Sequence, residues 1–196
     1  FLMKKIRGQM LNYNSILKDE INHNGLSIKE ISPIMKLNLR GKKREFFTSV
    51  GKNLNMILPT EANTSSSSDK LTSIWLSPDE WMIFSNEKVQ KDSNIYELEE
   101  TLYNSISKTN LGAVTDVTDQ LVLLELKGEN IFELFASGSP FNFNEFKEKK
   151  GSTTQTLLNN IDVIVHHKDV NLVNLFVRRS FSEHLCSWIN DSASRL

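Results

Sequence analysis

Apolar residues recur along this chain at two periods, and each change of period marks an element. Residues 9–22 are weakly periodic through Met10, Leu11, Ile16, Leu17 and Ile21, with Asn24-Gly25 following as a turn signal. They read as a marginal helix or a partner-docking arm. Residues 28–40 alternate in part, through Ile31, Leu37 and Leu39, and predict a strand interrupted at Pro33 and ended by Gly41. In residues 42–54, Phe46, Phe47, Val50 and Leu54 are spaced for one helical face. The run Asn63 to Asp69 offers nothing to bury, so residues 62–70 read as a flexible loop. Ile74-Trp75-Leu76 and Met82-Ile83-Phe84 are two short strands around a Ser77-Pro78-Asp79-Glu80 turn. Asp92 or Ser93 caps a helix carrying Ile95, Leu98, Leu102 and Ile106.

Residues 111–118 give a strand through Val114 and Val117, and Leu121 to Leu126 a stronger one ended by Gly128. Residues 129–136 form a short helix ended by Gly138, and an irregular loop runs through Pro140. Residues 161–166 and 172–177 are strands. A last helix starts at Ser180, with Phe181, Leu185, Trp188 and Ile189 on one face.

The order is β-α-β-β-α-β through residue 118, then β-α-loop-β-β-α. This predicts an α+β fold of two tandem ferredoxin-like units with largely antiparallel sheets. The last unit lacks a closing strand, so strands are expected to be exchanged between the halves. The division expected is an N-terminal arm, 1–27, and one domain, 28–196, with halves 28–118 and 119–196.

Composition narrows the classes. Of 196 residues, 39% are hydrophobic and 24% charged, enough to fold. The net charge of −1 gives no global reason to bind nucleic acid or an anionic membrane. A single cysteine, Cys186, excludes an internal disulfide and a multi-cysteine zinc site and fits a reducing compartment. No apolar stretch follows Lys4-Lys5 as a secretory signal requires, and no run reaches the roughly 20 residues of a membrane span, so a cytoplasmic protein is expected. The chain holds 20 asparagines, which read as genome base bias.

Candidate chemistry is sparse. No glycine-rich phosphate loop occurs, and Gly138-Ser139-Pro140 is too short and stiff to act as one. His166 and His167 are adjacent in a strand and face opposite ways, and His184 and Cys186 diverge on a helix, so no metal site is expected. Cys186 sits beside Leu185 and Trp188 and reads as a small buried hydrophobe. Asp79 and Glu80 stand between Trp75 and Trp81. Such carboxylates beside indoles either take a raised pKa or orient a heterocycle, or merely close a hairpin whose aromatics join the core. Of Arg178 and Arg179, strand alternation sends one inward, where it must be paired. Arginine also anchors interfaces.

Several blocks carry a resemblance: Leu37-Asn38-Leu39-Arg40-Gly41, Ile74-Trp75-Leu76-Ser77-Pro78-Asp79-Glu80-Trp81, Thr115-Asp116-Val117-Thr118-Asp119, Leu126-Lys127-Gly128, Gly138-Ser139-Pro140 and Val177-Arg178-Arg179-Ser180-Phe181. Over residues 28–190 their order and spacing resemble the gamma subunit of heterotetrameric sarcosine oxidase. The resemblance implies the duplicated α+β fold, with swapped strands, of the folate-binding domain of T-protein-like aminomethyltransferases. It implies a holoenzyme that oxidises sarcosine, with O2 and tetrahydrofolate, to glycine, hydrogen peroxide and methylenetetrahydrofolate. The partners would be alpha, beta and delta subunits carrying FAD, FMN, NAD, zinc and tetrahydrofolate. No cofactor and no catalytic residue would lie on this chain.

Two classes of function follow. A non-catalytic subunit would present a large apolar patch, with Arg40, Phe141, Phe143, Arg178 and Arg179 as interface candidates beside the tryptophans. An autonomous folate-binding or aminomethyl-transferring protein would use Trp75, Asp79, Glu80 and Trp81. A related reading is the equivalent subunit of another N-methyl amino-acid oxidase.

Overall fold

The computed structural model describes residues 13–31, 33–87 and 96–196. Two antiparallel sheets form the molecule, each with helices on one face. In the first, β3 (Lys36–Gly41) leads to α1 (Arg44–Leu54), β4 (Ser65–Ser67), β5 (Leu71–Ser77) and β6 (Glu80–Ser85). It continues through α2 (Tyr96–Leu102), a π-helical turn (Tyr103–Ser107) and β7 (Gly112–Asp116). The spatial order is β4-β5-β6-β3-β7. Without the edge strand β4 this is the order of a ferredoxin-like split unit.

The second sheet repeats the plan: β8 (Leu121–Lys127), α3 (Ile131–Gly138), β9 (Thr153–Leu158), β10 (Ile161–Asp169), β11 (Leu172–Arg178) and α4 (Arg179–Ala193). No strand follows α4. The closing position is taken instead by β2 (Leu26–Glu30), which pairs with β8 in the register Ile28↔Leu126 and carries β1 (Ile21–His23) on its outer side. The full order is β1-β2-β8-β11-β10-β9. This is the expected strand exchange, and it runs from the start of the chain to the second half. The residue 27/28 division falls inside β2.

Alternation along the strands sorts the side chains into three apolar layers. On β6, Trp81 and Ile83 face α1 and α2, where Phe46, Val50, Leu54 and Leu102 pack. On β8 and β11, Val122, Leu124, Val173 and Leu175 face α3 and α4. The opposite faces meet each other: Ile74, Met82 and Phe84 of the first sheet pack on Leu123 and Phe176 of the second. Phe84 and Phe176 lie edge to face with centroids 5.0 Å apart.

Several sequence expectations change. Residues 62–70 are not a structureless loop, because each hydroxyl of the serine run has a partner. Ser65 Oγ donates to the Gly151 carbonyl (2.8 Å), Ser66 Oγ to the Ile57 carbonyl (2.6 Å) and Ser68 Oγ to the Leu71 carbonyl (3.2 Å). Ser67 Oγ meets Thr72 Oγ1 at 3.1 Å. Thr64 also bridges to Ser152, tying this edge of the first sheet to the approach to β9. Within the stretch between Gly138 and Ile161, where the sequence predicts no strand, lies β9. It is a threonine-rich edge strand whose Gln155 Nε2 donates across to the Leu76 carbonyl of the first sheet (2.7 Å).

Residues 13–20 are not helical. Glu30 gathers them, accepting hydrogen bonds from the Tyr13 hydroxyl, Ser15 Oγ (2.5 Å) and the amides of Ile16 (2.7 Å) and Leu17 (3.0 Å). Met10 and Leu11, and Asp92, Ser93 and Ile95 of the expected helix start, lie outside the described residues. In α4 the buried face is Ser182, Leu185, Cys186, Ile189 and Ala193, which leaves Phe181 about half exposed rather than in the core. Asparagine has a local structural use. Among the described residues every non-glycine with positive φ is an asparagine: Asn55, Asn63, Asn110, Asn159, Asn160 and Asn171.

The exchanged hairpin depends on Gly128, which has φ +144°. A Cβ there would lie 2.1 Å from the Gly25 carbonyl oxygen, a backbone atom of the β1–β2 turn. Gly128→Ala should therefore push that hairpin off β8 and destabilise the protein by at least about 2 kcal/mol. Urea unfolding measures this; an unchanged midpoint would refute the close docking.

Candidate functional site

Among the described residues the sheets touch along the middle of their strands, and a cleft opens between them toward each end. The larger, about 690 Å³, is lined from the first sheet by Asn38, Leu76, Glu80 and Met82. From the second come Leu121, Asp162, Ile164, Phe176 and Arg178. The smaller, about 440 Å³, lies at the opposite strand ends around Ser65, Phe84, Lys150, His166, Lys168 and Asn174.

Only Glu80 of the four residues in the tryptophan block lines the larger cleft. Glu80 and Trp81 are consecutive in β6 and so point to opposite faces. Trp81 is 1% exposed. Its Nε1 donates to the Pro59 carbonyl (2.8 Å), and its ring lies 5.8 Å from Phe46 and 5.3 Å from Phe47. Trp75 stands opposite Trp81 in register and packs, half-buried, on the same helix-facing core. Asp79 stays in the hairpin. Ser77 Oγ donates to it (3.0 Å) and Lys42 lies 3.4 Å away; these hold its carboxyl below the usual range. Glu80 accepts from Asn38 Nδ2 (2.7 Å) and pairs with Arg40 at 3.5 Å.

The other interface candidates divide the same way. Phe143 is buried in a cluster with Phe135 and Phe146, and Phe141 packs on it at 4.8 Å. Arg179 is the inward arginine. Among the described residues no carboxylate pairs with it; its Nε donates to the Asp119 carbonyl (2.9 Å) and its guanidinium lies 4.6 Å over the Tyr13 ring. Arg178 is exposed and faces the larger cleft. Among the described residues the large apolar side chains with substantial exposure are Ile57, Tyr103, Leu157, Val170, Phe181 and Leu196, spread over several elements.

Buried titratable groups complete the picture. Burial, with the charge of Glu30 nearby, pushes the Cys186 thiol up to about 12, so it stays protonated. His166 is 3% exposed and links both sheets. Its Nδ1 accepts from Asn174 Nδ2 (3.3 Å). Its Nε2 donates to Ser65 Oγ (3.1 Å), since that hydroxyl's own proton goes to Gly151. Burial first, then the charges of Lys168 and His167, push its pKa down to about 4. His167 faces the other way, 5.5 Å from Phe132. Lys36 is fully buried; its Nζ donates to the carbonyls of Ile34 (3.1 Å) and Thr118 (3.2 Å). Burial, then Arg179, lowers its pKa to about 8. Among the described residues no three His, Cys, Asp or Glu side chains are grouped as metal ligands. Sequence reading missed the His166–Asn174–Ser65 link and buried Lys36. The available signal was parity: His166, Asn174 and Lys36 fall on strand positions that face the opposite sheet.

The fold and its clefts define a duplicated α+β domain closed by its own N-terminal strand. Comparison with known proteins places it further. The sequence matches the model of the sarcosine oxidase gamma subunit family over residues 41–195, and the chain belongs to that family. Its structure is similar to a chain of the heterotetrameric sarcosine oxidase from Corynebacterium sp. U-96, solved in complex with pyrrole 2-carboxylate. The TM-score is 0.78 at 20% identity, over 90% of this chain and 88% of that one. It is also similar to the glycine cleavage system aminomethyltransferase T from Bartonella henselae, with TM-score 0.60 and 15% identity, over 87% of this chain and 49% of that one. At these identities the likenesses speak for the fold. No curated protein matches the sequence.

The state of His166 has a measurable consequence. Its native pKa is about 4 against an ordinary 6.5. As pH falls through that window the unfolded chain takes up a proton the native state refuses, so stability falls; above 6.5 the effect is gone. Between pH 7 and pH 5 the wild type should lose about 2 kcal/mol more than His166→Gln. Urea unfolding of both at the two pH values tests this, and equal losses would rule out a neutral, buried His166.

Proposed function

We propose that this chain is the gamma subunit of a heterotetrameric sarcosine oxidase, without an active site of its own. In that assembly it supports oxidative demethylation of sarcosine to glycine with transfer of the one-carbon unit to tetrahydrofolate. The observation that carries the reading is the family match over residues 41–195. The unreactive state of the buried groups supports it: the Cys186 thiol is protonated and His166 is neutral and doubly hydrogen-bonded. The partners are the alpha, beta and delta subunits, which hold FAD, FMN, NAD, zinc and tetrahydrofolate. The assembly is cytoplasmic; among the described residues no helix is long and apolar enough to cross a membrane. An equivalent subunit of another N-methyl amino-acid oxidase would share all of these features except the substrate.

The autonomous folate-binding reading finds less support. Its four residues do not converge: the indoles of Trp75 and Trp81 belong to the helix-facing core, while Glu80 faces the cleft with Asn38 and Arg40 as partners. Tagging the chain and recovering it from native extract separates the two. A yellow complex with larger chains, producing hydrogen peroxide from sarcosine, is the expected result. A colourless monomer that binds tetrahydrofolate, and loses that binding on Glu80→Ala, would overturn the subunit reading.

A further inference from the structure

The two clefts differ in how their polar groups are used. In the smaller one the charges are already matched: Lys150 with Asp169 at 2.7 Å and Lys168 with Glu125 at 3.0 Å. The hydroxyl and amide groups of Ser65, Ser67, Thr72 and Asn86 bond to one another or to backbone. That cleft is an internally satisfied seam between the sheets.

The larger cleft is not satisfied in this way. Glu80 and Gln155 are engaged, by Asn38 with Arg40 and by the Leu76 carbonyl. Arg178 and Asp162 have no hydrogen-bond or ion-pair partner among the described residues. Both line the cleft and both are exposed. They flank the register pair Val163↔Val177 on adjacent strands, so they sit side by side on the face turned to the first sheet. Behind them Leu76, Leu121 and Ile164 are only half-buried at the border of the inter-sheet core. The cleft thus offers one free cation, one free anion and unfilled apolar surface within about 690 Å³.

We propose that this cleft binds a free α-amino acid with an apolar side chain. The ligand carboxylate pairs with the Arg178 guanidinium, whose fork suits a carboxylate. The ligand ammonium pairs with Asp162. The side chain enters against Leu76, Leu121 and Ile164, and its burial supplies the affinity that exposed ion pairs lack. A simple carboxylate would leave Asp162 uncompensated and a simple amine would leave Arg178 so; a zwitterion matches both. The site is separate from the subunit assignment, which the native-extract experiment reads independently.

Calorimetric titration of the full-length chain with L-leucine and L-phenylalanine tests the proposal. Saturable binding is expected. L-Leucinamide, which lacks the carboxylate, and N-acetyl-L-leucine, which lacks the ammonium, should each bind at least about tenfold more weakly. Arg178→Gln and Asp162→Asn should each weaken L-leucine by a similar factor, with an unchanged thermal midpoint because both side chains are exposed and unpaired. Absence of saturable heat with either amino acid overturns the proposal. So does equal binding of the amide or the acetyl derivative, a comparison that needs no variant.

Discussion

One buried ammonium ties together the two places where the chain passes between the sheets. The first crossing leads from β2 to β3 through Ile34, and the second from β7 to β8 through Thr118. Lys36 Nζ donates to the carbonyls of both residues. The Lys36 backbone adds to the tie: its amide donates to Thr118 Oγ1 (3.0 Å) and its carbonyl accepts from the Val117 amide (2.9 Å). Irregular backbone at a crossing would leave carbonyls buried without partners, at a cost of about 1–3 kcal/mol each. A lysine can reach two carbonyls at once, which no apolar residue can do. Its own desolvation is the cost, visible in a pKa brought down to about 8. Asp119, Asp116 and Glu30 offset part of that cost from a distance. The ammonium remains charged at neutral pH, and its burial weighs against folding until pH rises through the interval from about 8 to 10.5.

The exchanged strand follows from the same arrangement. If β2 stayed with β3 in the first sheet, β8 would present an open edge beside the apolar face built by Val122, Leu124 and Leu126. Instead β2 seals that edge, adds Leu26 and Ile28 to the second core, and ends in Glu30. Glu30 then fixes residues 13–17, and Tyr13 lies beneath Arg179 at the start of α4. Residues 13–17 and the start of α4 are thereby organised around one junction. Both inter-sheet crossings meet there.

Much of this plan was legible. The helix and strand periods, the duplicated unit and the missing last strand were all readable, because each rests on local spacing. The source of the closing strand was not. Residues 28–40 read as one strand broken at Pro33, whereas the break is the crossing itself, and the two pieces pair in different sheets. Periodicity records which residues are buried and carries no information on which partner buries them. The serine run misled for a related reason: its polarity is real, but hydroxyls can bond to backbone within a sheet edge as readily as to water. At the tryptophan block, nearness in sequence suggested nearness in space. Strand alternation decided otherwise, sending Trp81 into the helix-facing core and Glu80 into the cleft.

The distribution of polar groups bears on what the protein can do. Among the described residues, four buried titratable groups are committed: Cys186 and His166 are in unreactive forms, and Lys36 and Glu30 are tied to structure. Covalent and acid–base catalysis need the opposite: a group whose pKa lies near the working pH and whose partner is within reach of a substrate. In the larger cleft Arg178 and Asp162 are left without hydrogen-bond or ion-pair partners among the described residues, and on the proposal above they supply recognition rather than chemistry. On the subunit reading proposed above, a chain built this way contributes shape and binding to the assembly of the sarcosine oxidase gamma subunit family rather than chemistry of its own.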